Sequence, residues 1–318
     1  MKIGYHLSSE DNSPSELIKQ AQKAEEAGFD FLTISDHYHP WISKQGESCF
    51  VWCTIGGIAL VTKDIPLVTG VTCPTFRIHP AILAQAAATA SYMMPRRFKF
   101  GVGSGENLSE HILGDGWPDA PTRIDMLAES VDVIRTLWQG GMRDYDGIYY
   151  HVENAQIFTL PEELPPIYIA ADGPLAAEIA GVYGDGLIAL DGKKDMLEIF
   201  QKSGGNDKPA YSFLNVCFAE TEEEAINMAY EYWPIFANKG ELNWEIKTTT
   251  HFEQAAEMIK KEDIAEALVC SPHPEHHIHE IEKSIKTGYD HATVHQLGVD
   301  QLEFIEFYQK EILPVFKE

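Results

Sequence analysis

Eight apolar, β-rich segments recur along the chain, most of them followed by a stretch with helical periodicity, and this alternation restricts the fold more than any other feature. The segments are KIGYHL (2–7), FLTIS (31–35), IPLVTGV (65–71), FKFGVG (98–103), PIYIAA (166–171), GLIAL (186–190), YSFLNVCFA (211–219) and ATVHQLG (292–298). Between the first two lies SELIKQAQKAEEAG, where Leu17, Ala21 and Ala24 recur at helical spacing and Gly28 supplies a stop. HPAILAQAAATASYMM places Pro80 near another helix start. Strands that are nearly continuous apolar runs, alternating with helices, indicate a parallel sheet covered on both faces. Eight such units predict an α/β fold of the closed (β/α)8 TIM-barrel type, with an open doubly wound sheet as the alternative. Segments 139–164 and 233–262 exceed what a simple connection needs. They read as insertions on a single domain spanning 1–318, and as material for a lid over the barrel mouth.

The length of 318 residues suits one such barrel. Lys and Arg number 24 against 49 Asp and Glu, a formal charge of −25 that repels nucleic-acid backbones and anionic membranes, so neither is an expected partner. The acids are spread over many helices and not gathered in a tail, which assigns them to solubility or salt tolerance. No apolar run approaches the roughly 18 to 20 residues of a membrane span. The opening MKIGYHLSSE reads as a first strand and not a leader, so a cytoplasmic protein is expected. Cys49, Cys53, Cys73, Cys217 and Cys270 form no CxxC pair, and their odd count argues for a reducing compartment. Cys49 and Cys53 stand four apart without a second pair, so no zinc site is expected.

In a barrel of this kind the working groups sit at the C-terminal ends of strands. Those ends are SDH (35–37), TGVTCPT (69–75), GVGSGE (101–106), AADG (170–173) and LDGK (190–193). His37 and His39 have the H-x-H spacing by which a strand can point two imidazoles to one side, as in metal-dependent barrel hydrolases. That pair belongs on a first strand with further ligands following, and here Pro40 bends the chain at once. His37 has other company: Asp36 beside it, Trp41 four residues on, and Glu106 at the end of the fourth strand. A general base and a separate acid could then face one cavity. GVGSGE fails the G-x-G-x-x-G fingerprint because Glu106 stands at the third glycine. Its glycines either admit a planar ring or phosphate close to the backbone or pack strand against loop. TGVTCPT offers backbone shape in place of side-chain chemistry. SPHPEHHIHE, with His273, His276, His277 and His279, has poor metal spacing and reads as a solvated helix start.

SDHYHPW, VTCPTFRIHPAILAQAAATA, GVGSGENLSEH, YIAADGPLAAEIAG and DQLEFIEFY, in that order, resemble the bacterial luciferase-like superfamily. Within it the chain is most similar to the deazaflavin-dependent group typified by F420-dependent glucose-6-phosphate and secondary alcohol dehydrogenases. The resemblance implies a barrel that forms a homodimer and holds coenzyme F420 with its ring in the mouth. It implies that His37 takes the proton of a substrate hydroxyl, that Glu106 protonates the cofactor ring, and that Trp41 steadies the developing charge. Asp36 and His37 would contact the deazaflavin, and the Gly70–Val71 peptide would be a cis bond behind the ring, with Cys73 in the same turn. Ser104, Gly105 and Ser109, with the Ala171-Asp172-Gly173 turn, correspond to segments that receive the cofactor's ring edge and phosphate.

The chain departs from the group in three places. Asp172 stands where the sugar-phosphate enzyme has glycine, and a carboxylate beside a phosphodiester is unfavourable unless turned away. Ser109 replaces an asparagine whose paired contacts a hydroxyl cannot reproduce. Of three basic residues implied to hold a substrate phosphate, Lys193 matches one, whereas Ala267 and Asn243 stand at the other two, with Lys247 as the substitute at hand. Losing two cations at roughly 1.5 to 3 kcal/mol each argues against glucose 6-phosphate. A small alcohol or carbonyl compound is the substrate expected. The alternatives are an FMN-dependent luciferase-like monooxygenase served by a flavin reductase, and a barrel that binds such a cofactor without turnover.

Overall fold

The computed structural model describes residues 1–238 and 240–317. Eight parallel strands form the ring: β1 (Lys2–Leu7), β2 (Phe31–Ile34), β3 (Leu67–Thr69), β4 (Phe98–Val102), β5 (Ile167–Ala171), β6 (Gly186–Leu190), β7 (Ala210–Cys217) and β8 (His291–Gln296). They pair in chain order, and the ring closes through β8 and β1, with Lys2 opposite His291. The two-residue strand Val269–Cys270 adds to the outside of β7. Every anticipated strand is present; β3 is shorter than read, since it stops at Thr69 before the Gly70–Val71 peptide, which is cis.

Helix α1 (Pro14–Ala27) starts where the Ser13 N–H donates to Glu16 at 2.9 Å and ends at Gly28, whose φ of 91° a side chain rarely adopts. Leu17, Ala21 and Ala24 are its buried stripe. The outer ring continues with α2 (Val51–Val61), α3 (Pro80–Met93), α4 (Ala120–Leu137), α5 (Pro174–Tyr183), α6 (Lys194–Phe200), α7 (Pro274–Thr287) and α8 (Gln301–Phe307). Inside the ring, Phe31, Val68, Tyr168, Ile188 and Tyr211 plug the lower end. Gly4 is needed there, because a Cβ would lie 2.2 Å from the Phe31 ring. Nearer the mouth the filling turns polar. His6 contacts the Thr33 hydroxyl at 2.8 Å, and His295 contacts Asn215 at 3.0 Å.

The two long segments part company. Residues 139–164 leave the lower end of α4 and form a hairpin, Arg143–Asp146 with His151–Ala155. It lies along the outside of α4, where Glu129 accepts the N–H groups of Ile148, Tyr149 and Tyr150, so it is no lid. The reason is topological: a helix-to-strand connection departs from the end of the barrel opposite the mouth. The second segment does build a cap, longer than anticipated, from Glu222–Tyr232 through Thr249–Ala256 to Lys261–Ala267. Its core joins Trp233, Ile235, Phe252 and Ile264 to Trp41, Leu108 and Leu297 of the barrel. The SPHPEHHIHE stretch does start a helix, with His273, His276 and His279 exposed, and only His277 departs from the solvated start anticipated. His277 is fully buried, 2.9 Å from the Ser271 carbonyl and 3.1 Å from the Tyr308 hydroxyl, and burial lowers its pKa to about 4.

Among the described residues, no helix is long and apolar enough to cross a membrane.

Candidate active site

Beyond Ile34 the chain leaves β2 and brings Ser35, Asp36 and His37 to the mouth. Asp36 does not face the cavity. Its carboxylate is buried, accepts from the Thr72 hydroxyl at 2.8 Å and pairs with Arg77 at 2.8 Å. Arg77 also approaches Glu110 at 3.4 Å, and its backbone N–H donates to the same carboxylate at 2.9 Å. One guanidinium thereby ties together the loops that follow β2, β3 and β4. Ser109 is turned inward too: fully buried, it accepts the Tyr38 N–H at 3.1 Å. Both residues shape the loop that presents His37, through side-chain atoms bonded within the protein.

His37 is mostly buried and lies between two carboxylates. Nδ1 is 2.9 Å from Glu10 Oε1, without the alignment of a hydrogen bond, and Nε2 is 3.7 Å from Glu106 Oε1. Glu10, just after β1, is itself held by the hydroxyls of Ser35 (2.6 Å) and Ser8 (3.0 Å). Burial disfavours charge on the imidazole, but the attraction of Glu106, Glu10 and Asp36 outweighs it and pushes its pKa up to about 9. Burial likewise works to raise the Glu10 carboxyl, yet His37 and the Ser35 hydroxyl hold it below the ordinary range. Trp41 meets the His37 ring edge-on at 5.1 Å and on its other side packs against Phe252 of the cap at 5.2 Å. The cap therefore supports Trp41 directly. His39 is turned elsewhere, 3.0 Å from the Leu108 carbonyl and stacked on His111, so the two imidazoles of H-x-H do not share one site.

The anticipated cofactor segments line the same rim. Thr72, after the cis Gly70–Val71 peptide, bridges to Val102, and the Gly103 N–H donates to the Thr72 carbonyl at 3.0 Å. A Cβ on Gly103 would lie 2.8 Å from Val71, and one on Gly105, whose φ is 82°, 2.6 Å from Cys73 Sγ. The glycines of GVGSGE therefore pack strand against loop. Cys73 is buried beneath this turn, its thiol 2.8 Å from Thr75, whereas Ser104 is partly open. Ala171 is buried at the end of β5, Asp172 pairs with Lys193, and the space beyond Gly173 is open. Asn243 is engaged with Ile235 and Asn238, while Ala267 and Lys247 are exposed on the cap.

Sequence reading missed Glu10, Arg77 and Glu110. Glu10 had a usable signal, since it follows β1 in SSE and every strand end of a barrel is a candidate position. Arg77 and Glu110 had none, because neither stands at a strand terminus. Among the described residues, no group of three His, Cys, Asp or Glu is placed to hold a metal.

A closed parallel barrel with His37 and Glu106 at its mouth defines a class, and the chain belongs to the luciferase-like family: the profile described as "Luciferase-like monooxygenase" matches residues 1–291. Among similar proteins, the F420-dependent glucose-6-phosphate dehydrogenase of Microbacterium testaceum is 33% identical over 99% of this chain and 97% of its own length. That of Mycolicibacterium smegmatis is also 33% identical, with the same coverage. An F420-dependent secondary alcohol dehydrogenase in complex with an F420–acetone adduct superposes with a TM-score of 0.91 at 27% identity, covering 100% of this chain and 99% of that one. The F420-dependent tetrahydromethanopterin reductase of Methanopyrus kandleri, at 21% identity and a TM-score of 0.81, shares the fold over 99% of each chain.

Proposed function

We propose that this protein is an F420-dependent oxidoreductase that transfers a hydride between a small alcohol or carbonyl compound and the deazaflavin, on one domain with a cap. The observation that carries the reading is the placement of His37 between Glu106 and Glu10, flanked by Trp41, at the mouth of the barrel. The residues present fit the cofactor. Among the described residues, Glu106 Oε1 and Asn107 Oδ1 are buried without hydrogen-bond partners, which leaves acceptor capacity for a ligand at the rim. Gly70, Val71, Ser104, Gly105 and Gly173 would hold it. When bound, F420 supplies a ring carbon that accepts or gives a hydride.

The proton work falls to the chain. In the free protein His37 is an imidazolium at neutral pH, ready to give a proton to a carbonyl oxygen. To take a proton from an alcohol it must first become neutral. Glu106 is the strongest of the attractions holding its charge, so neutralising Glu106 releases His37 as a base. Trp41 closes one side and excludes water. Glu106→Gln therefore lowers the His37 pKa below about 9, a shift that imidazole NMR signals report directly. An unchanged titration would remove Glu106 from this role.

Titration of the purified protein with F420 and, separately, FMN tests the cofactor, followed by a panel of secondary alcohols. The reading expects F420 to bind and its oxidised absorbance to bleach with an alcohol. Preference for FMN, with oxygen consumed in the presence of a reductase, would instead support the monooxygenase reading that the family's description carries.

The protein is also proposed to be a cytoplasmic homodimer, with five free cysteines supporting the compartment. Helices α2 and α3 contain no Asp, Glu, Lys or Arg, although the chain carries 73 of them, 24 basic and 49 acidic. Leu60, Ile82 and Tyr92 are 81%, 59% and 61% exposed on them, beside a groove lined by Gly56 and Ala86. A monomer rarely leaves such a face open, and it is where two copies of a strongly acidic chain can meet without charge repulsion. Light scattering should give twice the chain mass for the parent and the single mass for Ile82→Glu; a parent that is already monomeric rejects the dimer.

A further inference from the structure

A second charged pair lies across the mouth from His37. Asp172 follows β5 and Lys193 follows β6, and β6 is four strands from β2 around the eight-stranded ring, hence on the opposite rim. Ala171 and Ala189 are register partners at the ends of these two strands, which brings the Asp172 and Lys193 loops side by side. The Lys193 loop is a tight turn. Asp191 and Gly192 both adopt left-handed backbone, at φ of 55° and 57°, and the Tyr289 hydroxyl donates to the Lys193 carbonyl at 2.8 Å. A Cβ on Gly192 would come within 3.1 Å of the Ser284 hydroxyl. From this base the Lys193 ammonium reaches the Asp172 carboxylate, and the two side chains are 38% and 33% exposed.

The pair is therefore both formed and reachable from the mouth. The adjacent cation, Lys194, is paired with Glu198 at 3.4 Å. A phosphate arriving here would have to displace Asp172 or sit beside its charge, within the field of a chain carrying −25.

We propose that Asp172 determines specificity by keeping Lys193 paired, so that the site takes an unphosphorylated alcohol or carbonyl compound and passes over phosphorylated sugars. The word substrate rests on the hydride-transfer reading, but the charge pairing can be tested without cofactor. Calorimetric titration of the free protein with glucose 6-phosphate and with inorganic phosphate is the experiment. Asp172→Asn keeps the side-chain size and frees Lys193; it should raise affinity for both ligands at least tenfold, and the added change Lys193→Met should cancel the gain. In the parent, Lys193→Met alone should leave phosphate affinity unchanged. The proposal is overturned if folded Asp172→Asn shows no gain, or if the parent binds glucose 6-phosphate through Lys193 and loses it in Lys193→Met. The parent-background comparison decides the matter even where Asp172→Asn does not fold. Failure of F420 to bind any of these proteins would sink the hydride-transfer reading and leave the phosphate result standing.

Discussion

His37→Ala lowers turnover of a bleaching alcohol by about 10²- to 10⁴-fold, the usual worth of a positioned acid–base group, while F420 still binds. The loss should appear in kcat more than in KM, since the imidazole serves proton transfer and the mouth keeps its other walls. Glu10→Gln should produce a smaller fall, because Glu10 acts on Nδ1 and orients the ring. Its variant leaves His37 with Glu106 as the main opposing charge, which lowers the imidazole pKa from about 9. Alcohol oxidation in the parent should rise as pH approaches that value, and this rise should move to lower pH in Glu10→Gln. Full turnover in His37→Ala with cofactor bound would show that the assignment of the base is wrong.

Arg77→Met costs about 3–5 kcal/mol of folding stability, because removing one partner strands buried charge. The Arg77, Asp36 and Glu110 side chains are 6%, 0% and 1% exposed, so water cannot replace the guanidinium. The defect should depend on pH. Burial pushes the Glu110 carboxyl up to about 7, more than the attraction of Arg77 pulls it down, so removing Arg77 raises it further. A carboxyl raised in the folded state binds more protons there than in the unfolded chain. Its contribution is retained below the unfolded value of about 4.3 and lost as pH rises towards the folded pKa. The deficit of Arg77→Met should thus be smaller at pH 5 than at pH 8 in urea unfolding. Equal deficits at both, or a loss below about 1 kcal/mol, would mean that the three groups are hydrated or paired otherwise.

The same cluster shows where sequence reasoning stops. His37, Trp41 and Glu106 were legible because strand ends can be counted in a regular barrel, and all three do meet at the mouth. Asp36 and Ser109 stand at equally suggestive positions yet turn inward. Their direction depends on Arg77 and Tyr38, which are 41 and 71 residues away from them, respectively. The 139–164 segment could be recognised as an addition, but its place outside α4 followed from which end of the barrel it leaves. His277 belonged to a polar-looking run and became core because α7 packs it against Tyr308.

By itself the sequence determined the eight barrel strands and their alternation with helices, since backbone propensity and the burial of apolar periodicity act over a few neighbouring residues. Only the tertiary structure decided which carboxylates hold His37, that Asp172 is bound to Lys193, and that the cap packs on Trp41. Those outcomes depend on distances between loops that the chain separates and ring closure brings together, and charge in a buried site responds to distance and desolvation far more than to order along the chain.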